Sequence, residues 1–287
     1  MRARSLLGFG LPVLVAASLC APAAAATADN EIVERGRYLA TAAGCATCHT
    51  DEENDGLPYA GGRRFDTPIG VLVAPNISPD PEHGIGNWTD DEFVTALRTG
   101  VGPGGKYYYP AFPYASYAGM TRDDALAIKA FLDTVEPVTQ PSPEHEIEWY
   151  APGRWSMRLW QSQFSPYEYP PSGNNDSQPW QRGAYLVRHV AHCGECHTPR
   201  NQLGALKLAR QHAGSPKDAP GGGAPDIRAI DSGIGAWAVE DLLLFFQIGM
   251  MLDGDFAGAS MAPVIDNLAE LTEADQRAIA TYLLSIE

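Results

Sequence analysis

The chain has 287 residues, of which 45% are apolar and 19% charged, with a formal charge of −15 at neutral pH and a pI of about 4.8. This excludes a disordered or fibrous chain and leaves room for two domains of ordinary size. It also excludes nucleic acid as a partner, which needs a basic stripe; an acidic surface suits solubility or a basic protein partner.

Arg2 and Arg4 precede an apolar run from Leu6 to Leu19, and small residues follow, with Ala24 and Ala26 in the A-x-A pattern of a cleavage site. Residues 1–26 are expected to be an export signal, so that the mature chain starts near Thr27 and works in the periplasm. The run is short for a bilayer, and no later stretch reaches the length of a membrane helix. Cys20 would suit a lipid anchor, but Leu19 before it is too large for the usual processing site.

Past the signal, an amphipathic helix with Tyr38 and Leu39 on its apolar side leads into "CATCH" (45–49). A second helix is predicted to start at Thr89, where Glu92 completes a capping box, and to stop at Gly100. A third follows Thr121 and Asp124, with Phe131 and Leu132 on its apolar face. Residues 137–181 are rich in Pro, Ser and aromatics and include Trp149, Trp155, Trp160 and Trp180. A bare linker would not hold four tryptophans, so this segment is read as an ordered strap packed over both flanking domains.

The rest repeats the beginning at a spacing of about 148 residues. "RGRYLATAAGCATCHT" (35–50) answers to "RGAYLVRHVAHCGECHT" (182–198), which carries one extra residue. "APNISPDPEHGIGNWTDDEF" (74–93) answers to "APDIRAIDSGIGAWAVEDL" (224–242), and "MTRDDALAIKAFLDTVE" (120–136) to "LTEADQRAIATYLLSIE" (271–287). The second copy again predicts three helices: one with Tyr185 and Leu186, one in "EDLLLFFQIG" that lacks the threonine cap but stops at Gly249, and one after Thr272 and Asp275. No run of alternating β-branched residues predicts a sheet. The expectation is an all-α chain of two tandem domains, 27–136 and 182–287, each with few helices, long loops and a small core that needs something inside it.

Of the five cysteines, Cys20 leaves with the signal, and Cys45, Cys48, Cys193 and Cys196 all fall in two copies of C-x-x-C-H. Two thioethers to a haem need two cysteines at fixed reach, and the next residue, His49 or His197, then falls under the iron as an axial ligand. A split zinc site would leave both histidines without a role, and a thiol redox pair lacks a surrounding βαβ pattern. Two covalent haem c groups are therefore expected. For the opposite face, Met261 in the small-residue loop "GASMAPV" is the candidate in the second half, ahead of Met250 and Met251 at a helix end. In the first half Met120 is the candidate, ahead of Met157 in the strap and His83 on a loop. Met120 nevertheless aligns with Leu271, and Phe112 stands nearer the place of Met261. Pro75 and Pro225 could offer carbonyls to the axial histidines. Trp88 and Trp237 are either propionate donors or core residues, Arg200 is either a propionate partner or solvated, and "KYYYPAFPY" (106–114) is either a pocket wall or a docking surface.

These residues resemble a known family, the dihaem and trihaem c-type cytochromes that serve as electron-transfer subunits of periplasmic dehydrogenases. The resemblance covers most of the mature chain and rests on "APNISPD…GIGNWTDDEF", "YYYPAFPYASYAGMT", "RGAYLV…HCGECHTPRNQLGA" and "GASMAPV". It implies two tandem class I cytochrome c domains, each wrapped around one haem. It further implies a quinoprotein, flavoprotein or molybdoprotein dehydrogenase of alcohols, aldehydes or sugar acids as donor, and another cytochrome or an oxidase as acceptor. Alcohol-dehydrogenase cytochromes resemble three haem domains with a membrane attachment, where two domains and no anchor are expected here. Many relatives also have a methionine in the segment where this chain has Phe112. The other functional reading is a dihaem enzyme, a peroxidase or a thiosulfate-oxidising cytochrome, with one open haem face.

Overall fold

The computed structural model describes residues 22–167, 177–217 and 223–287. Most of the expected export signal, Cys20, and residues 168–176 of the expected strap lie outside the described residues.

The first half opens with α1 (Pro22–Ala42) and the single turn α2 (Cys45–His49), separated by Gly44 at φ 64°. α3 (Asp90–Thr99) carries the predicted capping box: the Glu92 N–H donates to Thr89 Oγ1 at 3.2 Å, and the Glu92 carboxylate accepts from the Thr89 N–H at 2.9 Å. It stops at Gly100, whose φ of 67° favours a residue without Cβ. α4 (Tyr114–Tyr117) and α5 (Arg122–Leu132) complete this half, and α6 (Met157–Phe164) lies in the strap. The second half has α7 (Gln178–Tyr185), α8 (Gly194–His197), α9 (Val239–Ile248), α10 (Ala262–Ala269) and α11 (Glu273–Leu283).

One glycine in each half decides how its helices cross. α1 packs on α5 and α7 on α11. A Cβ on Gly36 would come within 1.8 Å of the Ala127 carbonyl oxygen, and one on Gly183 within 1.9 Å of the Ala278 oxygen. The two backbones touch there, so only glycine fits at either crossing. The extra residue of the second copy is absorbed just beyond this crossing. α7 continues from Leu186 to Val190 as a single π turn, closed by the Ala191 N–H on the Leu186 carbonyl at 2.7 Å.

The expectation of no sheet is corrected. β1 (Arg64–Thr67) and β2 (Gly70–Val73) form a hairpin, and β5 (Glu146–Ile147) pairs antiparallel with β2 as a third strand. β3 (Val101–Gly102) and β4 (Lys106–Tyr107) form a smaller pair. Strands of two to four residues are too short to show alternation, and β5 reaches β2 from far along the chain. The chain is nonetheless mostly helical.

The strap touches both halves. Asn76 donates to the Val138 and Gln140 carbonyls at 2.7 and 3.0 Å, while the Trp160 indole donates to the Leu203 carbonyl at 2.8 Å and its ring meets Tyr114 edge-on. Trp180 sits in α7, donating to Ser285 Oγ at 2.7 Å. Trp149 and Trp155 depart from the expected packing, with 92% and 83% of their surface exposed. The apolar core runs through both halves without a break, from Leu39, Met120 and Ile128 to Leu186, Val190 and Ile279. Among the described residues no helix is long and apolar enough to cross a membrane.

Candidate haem sites

The same backbone frame surrounds both C-x-x-C-H histidines. His49 Nδ1 donates to the Pro75 carbonyl at 2.8 Å, and His197 Nδ1 donates to the Pro225 carbonyl, also at 2.8 Å. The carbonyl oxygen of His49 accepts from the Gly61 N–H and that of His197 from the Gly214 N–H, each at 2.8 Å. Gly61 and Gly214 have φ of 76° and 77°, and a Cβ on either would run into the Pro75 or Pro225 backbone. One loop thus holds each histidine at its main chain and at its ring. A ring whose Nδ1–H is engaged presents a lone pair on Nε2, the tautomer an axial ligand needs. Burial lowers the pKa of both rings, and the proline carbonyls partly oppose it.

The correspondence extends one layer back. Tyr59 and His212 occupy the same place, with φ of 61° and 62°. Their N–H groups donate to Thr50 and Thr198 Oγ1 at 3.2 and 3.0 Å, and their carbonyls accept from Ile77 and Ile227. Tyr59 packs edge-on against Phe131, and His212 against Tyr282.

Cys45, Cys48, Cys193 and Cys196 form no disulfide. Burial raises the pKa of all four, of Cys45 and Cys193 to about 12, although Cys48 and Cys196 keep part of their surface exposed. Among the described residues no three His, Cys, Asp or Glu side chains converge as a metal site. Unpaired thiols beside a histidine with a free Nε2, set twice in the same frame, fit covalent haem attachment.

The other predicted residues fall into two groups. Trp88 and Trp237 are half-buried at matching positions, their main-chain N–H groups donating to the Ile85 and Ile234 carbonyls at 2.9 Å, and Trp237 packs edge-on against Phe245. Arg200 is engaged by protein: it donates to the Glu195 carboxylate at 2.6 Å and to the Gly204 carbonyl at 2.8 Å. On the opposite side the halves differ. Met261 is half-buried at the start of α10, whereas Met120 is fully buried just before α5. Leu271, its counterpart before α11, is buried in the same core. Phe112 packs on Tyr117 and Tyr108. Met157 is buried in a separate cluster with Tyr114 and Trp160, His83 lies on a loop, and Met250 and Met251 sit just beyond α9.

Sequence reasoning missed the contacts that join the halves. Arg35 and Arg182 each pair with the aspartate of their own last helix, Asp124 at 2.6 Å and Asp275 at 2.7 Å. The same aspartates then accept from a tyrosine of the other half: Tyr185 binds Asp124, and Tyr38 binds Asp275 at 2.6 Å. The sequence pattern marks Asp124 and Asp275 only as helix-capping residues. The signal was present in the repeated R-G-x-Y of both copies.

A helical scaffold presenting C-x-x-C-H beside a carbonyl-oriented histidine defines a c-type cytochrome. The comparisons agree: the cytochrome c family model matches residues 33–136. The chain is 39% identical to a diheme cytochrome c-type protein of Cereibacter sphaeroides over 252 residues, 87% of this chain and 84% of that one. It is 39% identical to the fructose dehydrogenase cytochrome subunit of Gluconobacter japonicus and 38% identical to the cytochrome c subunit of the quinone alcohol dehydrogenase of Gluconobacter oxydans. About 90% of this chain is covered in each case, but only 54% and 55% of those subunits, so the chain spans about half their length. The chain belongs to the cytochrome c family, whose members hold haem covalently, and is similar to cytochrome subunits of dehydrogenases.

Proposed function

We propose that this chain is a periplasmic dihaem cytochrome that takes electrons one at a time from a partner dehydrogenase and passes them to a downstream acceptor such as another cytochrome or an oxidase. The observation that carries the reading is the twice-repeated clamp of His49 on Pro75 and His197 on Pro225. Residues 1–26 direct export, residues 27–136 and 182–287 are the two haem domains, and residues 137–181 are the strap between them. Cys45 and Cys48, and Cys193 and Cys196, would form the thioethers that hold haem c, and His49 and His197 would bind the two irons. Met261 in the second half and Met120 in the first would supply the remaining ligand. Trp88 and Trp237 line the propionate edges, and Arg200 holds Glu195 in place beside Cys196.

Covalent haem supplies the one-electron chemistry, and the protein supplies ligands, burial and orientation. The proline carbonyls fix the ring plane of each histidine and strengthen its basicity through Nδ1–H. The acidic surface steers docking onto a basic face of the partner, an attraction that weakens with ionic strength. Relatives that are cytochrome subunits of fructose and quinone alcohol dehydrogenases support a dehydrogenase as donor, which we infer to be a quinoprotein, flavoprotein or molybdoprotein.

A second reading is favoured by one observation: Met120 fills the core position that Leu271 fills in the other half. In that reading the first haem has an open face and serves a peroxidase or thiosulfate-oxidising activity. The optical spectrum of the reduced protein with carbon monoxide decides between them. No uptake is the result expected of an electron-transfer cytochrome; uptake by half of the haem is the result expected of the open site.

A further inference from the structure

The third residue of each C-x-x-C-H motif is bonded to the opposite half. Asn267 Nδ2, on α10, donates to Thr47 Oγ1 at 3.1 Å. Ser116 Oγ, on α4, donates to Glu195 Oε1 at 2.6 Å. The two contacts are the same contact made twice. Thr47 and Glu195 correspond within the motif, and Ser116 and Asn267 each stand four residues before the aligned pair Met120 and Leu271. The halves therefore grip one another's motifs reciprocally, in the manner of a self-complementary two-fold interface.

Three further contacts draw the motifs together. His192, directly before Cys193, donates from Nε2 to the carbonyl of Ala43, two residues before Cys45, at 3.3 Å. Tyr117 donates to the same carbonyl at 3.3 Å, and its ring meets His192 edge-on at 5.3 Å. His189 donates from Nδ1 to the Ser116 carbonyl at 2.9 Å. Glu195 is itself held by Arg200 at 2.6 Å, so the Ser116 hydroxyl meets a carboxylate that is already fixed. The tyrosine–aspartate pairs Tyr38–Asp275 and Tyr185–Asp124 close the same interface further along the helices.

We propose that electrons cross between the halves where the two motifs abut, and that the Thr47–Asn267 and Glu195–Ser116 contacts are the positioning contacts that set the rate of that crossing. The proposal rests on the two-haem reading above. A haem held by two thioethers would follow the backbone of its motif, so a contact one residue from Cys48 or Cys196 would help to position the group those cysteines hold. The step is the transfer of one electron: the reduced haem of one half is oxidised by one, the oxidised haem of the other is reduced by one, and no atom moves. Tunnelling falls steeply with distance, so loosening the grip on the motifs slows transfer without touching an iron ligand.

The test uses the full haem-loaded protein. A photoexcited ruthenium dye injects one electron, and the concentration-independent redistribution between the haems is timed optically. The Ser116→Ala/Asn267→Ala double variant is expected to slow this phase by about tenfold or more, the scale of effect a small misplacement produces. Haem content and both midpoint potentials are expected to stay as in the parent, which separates positioning from a general loss of structure. Ser116→Thr and Asn267→Gln, which keep a hydroxyl and an amide donor at their places, are expected to keep the parent rate, and the single Ser116→Ala and Asn267→Ala variants carry the test where the double variant does not fold. An unchanged rate in a double variant that retains two haems overturns the proposal. A single haem per chain in the parent protein overturns the two-haem reading itself, and the proposal with it.

Discussion

The two halves hold their C-x-x-C-H motifs almost identically and diverge on the other side of the same core. On the histidine side, the ring clamp, the main-chain clamp and the positive-φ residue behind them recur at matched distances, with only Tyr59 exchanged for His212. On the opposite side, Met261 stands half-buried at a helix start, whereas the first half offers a fully buried Met120 and the ring of Phe112. The difference teaches that the two sides of each half have separate structural origins. On the two-haem reading, attachment and the histidine ligand would fall to the duplicated loop. The sixth position would fall to the segment before the last helix, where Phe112 and Met261 stand at nearby but unmatched places.

The largest effect should come from attacking that asymmetry. Met261→Leu is expected to open one sixth position, so that half of the reduced haem takes up carbon monoxide. Met120→Leu sharpens the comparison. With Met120 on the first iron it produces the same uptake; if Met120 only fills the place of Leu271, the parent protein already binds carbon monoxide at that haem and the variant changes nothing.

The helix crossings should instead respond alike. Gly36→Ala and Gly183→Ala each force a Cβ against a backbone carbonyl that cannot move aside. Each is expected to cost about 3 kcal/mol in denaturant or thermal unfolding, at the upper end of ordinary overpacking. A large inequality between them would mean that the halves do not share one crossing geometry.

Smaller effects should follow at the interface and in the strap. Tyr38→Phe removes a bond to the half-buried Asp275 carboxylate and Tyr185→Phe the corresponding bond to the buried Asp124 carboxylate, and each is expected to cost about 1–2 kcal/mol. Burial of Asp275 raises its pKa, but the hydrogen bonds from Arg182 and Tyr38 outweigh this and leave it below the ordinary aspartate value. The Tyr38 contribution is therefore present above that ordinary value and is lost as pH falls through the lower, folded-state pKa. His145, in the strap, has no counterpart in either repeat. It accepts the Val73 N–H on Nδ1, and burial, with Arg154 and Lys106 nearby, lowers its pKa to about 4. The unfolded chain then binds the extra proton between pH ~6.5 and ~4, so stability falls across that window as pH drops. The His145→Gln variant should flatten this part of the unfolding profile by about 1 kcal/mol, a figure reduced for the solvent exposure of the ring.

Much of the site was legible in the sequence because it depends on short-range chemistry. C-x-x-C-H states its own reach, Thr89 and Glu92 state a helix start, and Pro75 and Pro225 were recognisable as carbonyl partners because both copies keep them. The strands were not legible: β5 pairs with β2 from more than seventy residues away, and neither is long enough to alternate. The solvent-facing Trp149 and Trp155 were not legible either, since composition reports an aromatic and not where it points. The reciprocal interface lay between these cases. Arg35 and Arg182, Tyr38 and Tyr185, and Asp124 and Asp275 are all visible as repeated residues. That each tyrosine reaches the other copy's aspartate is a fact of three-dimensional pairing, which no spacing along one chain encodes.

The most direct test of the central claim is the haem-to-protein ratio of the purified chain, measured by the pyridine haemochrome absorbance in the parent and in the Cys45→Ser/Cys48→Ser and Cys193→Ser/Cys196→Ser variants. The account predicts two haems per chain in the parent and one in each variant. One haem in the parent, or both pairs of substitutions removing the same haem, would contradict it.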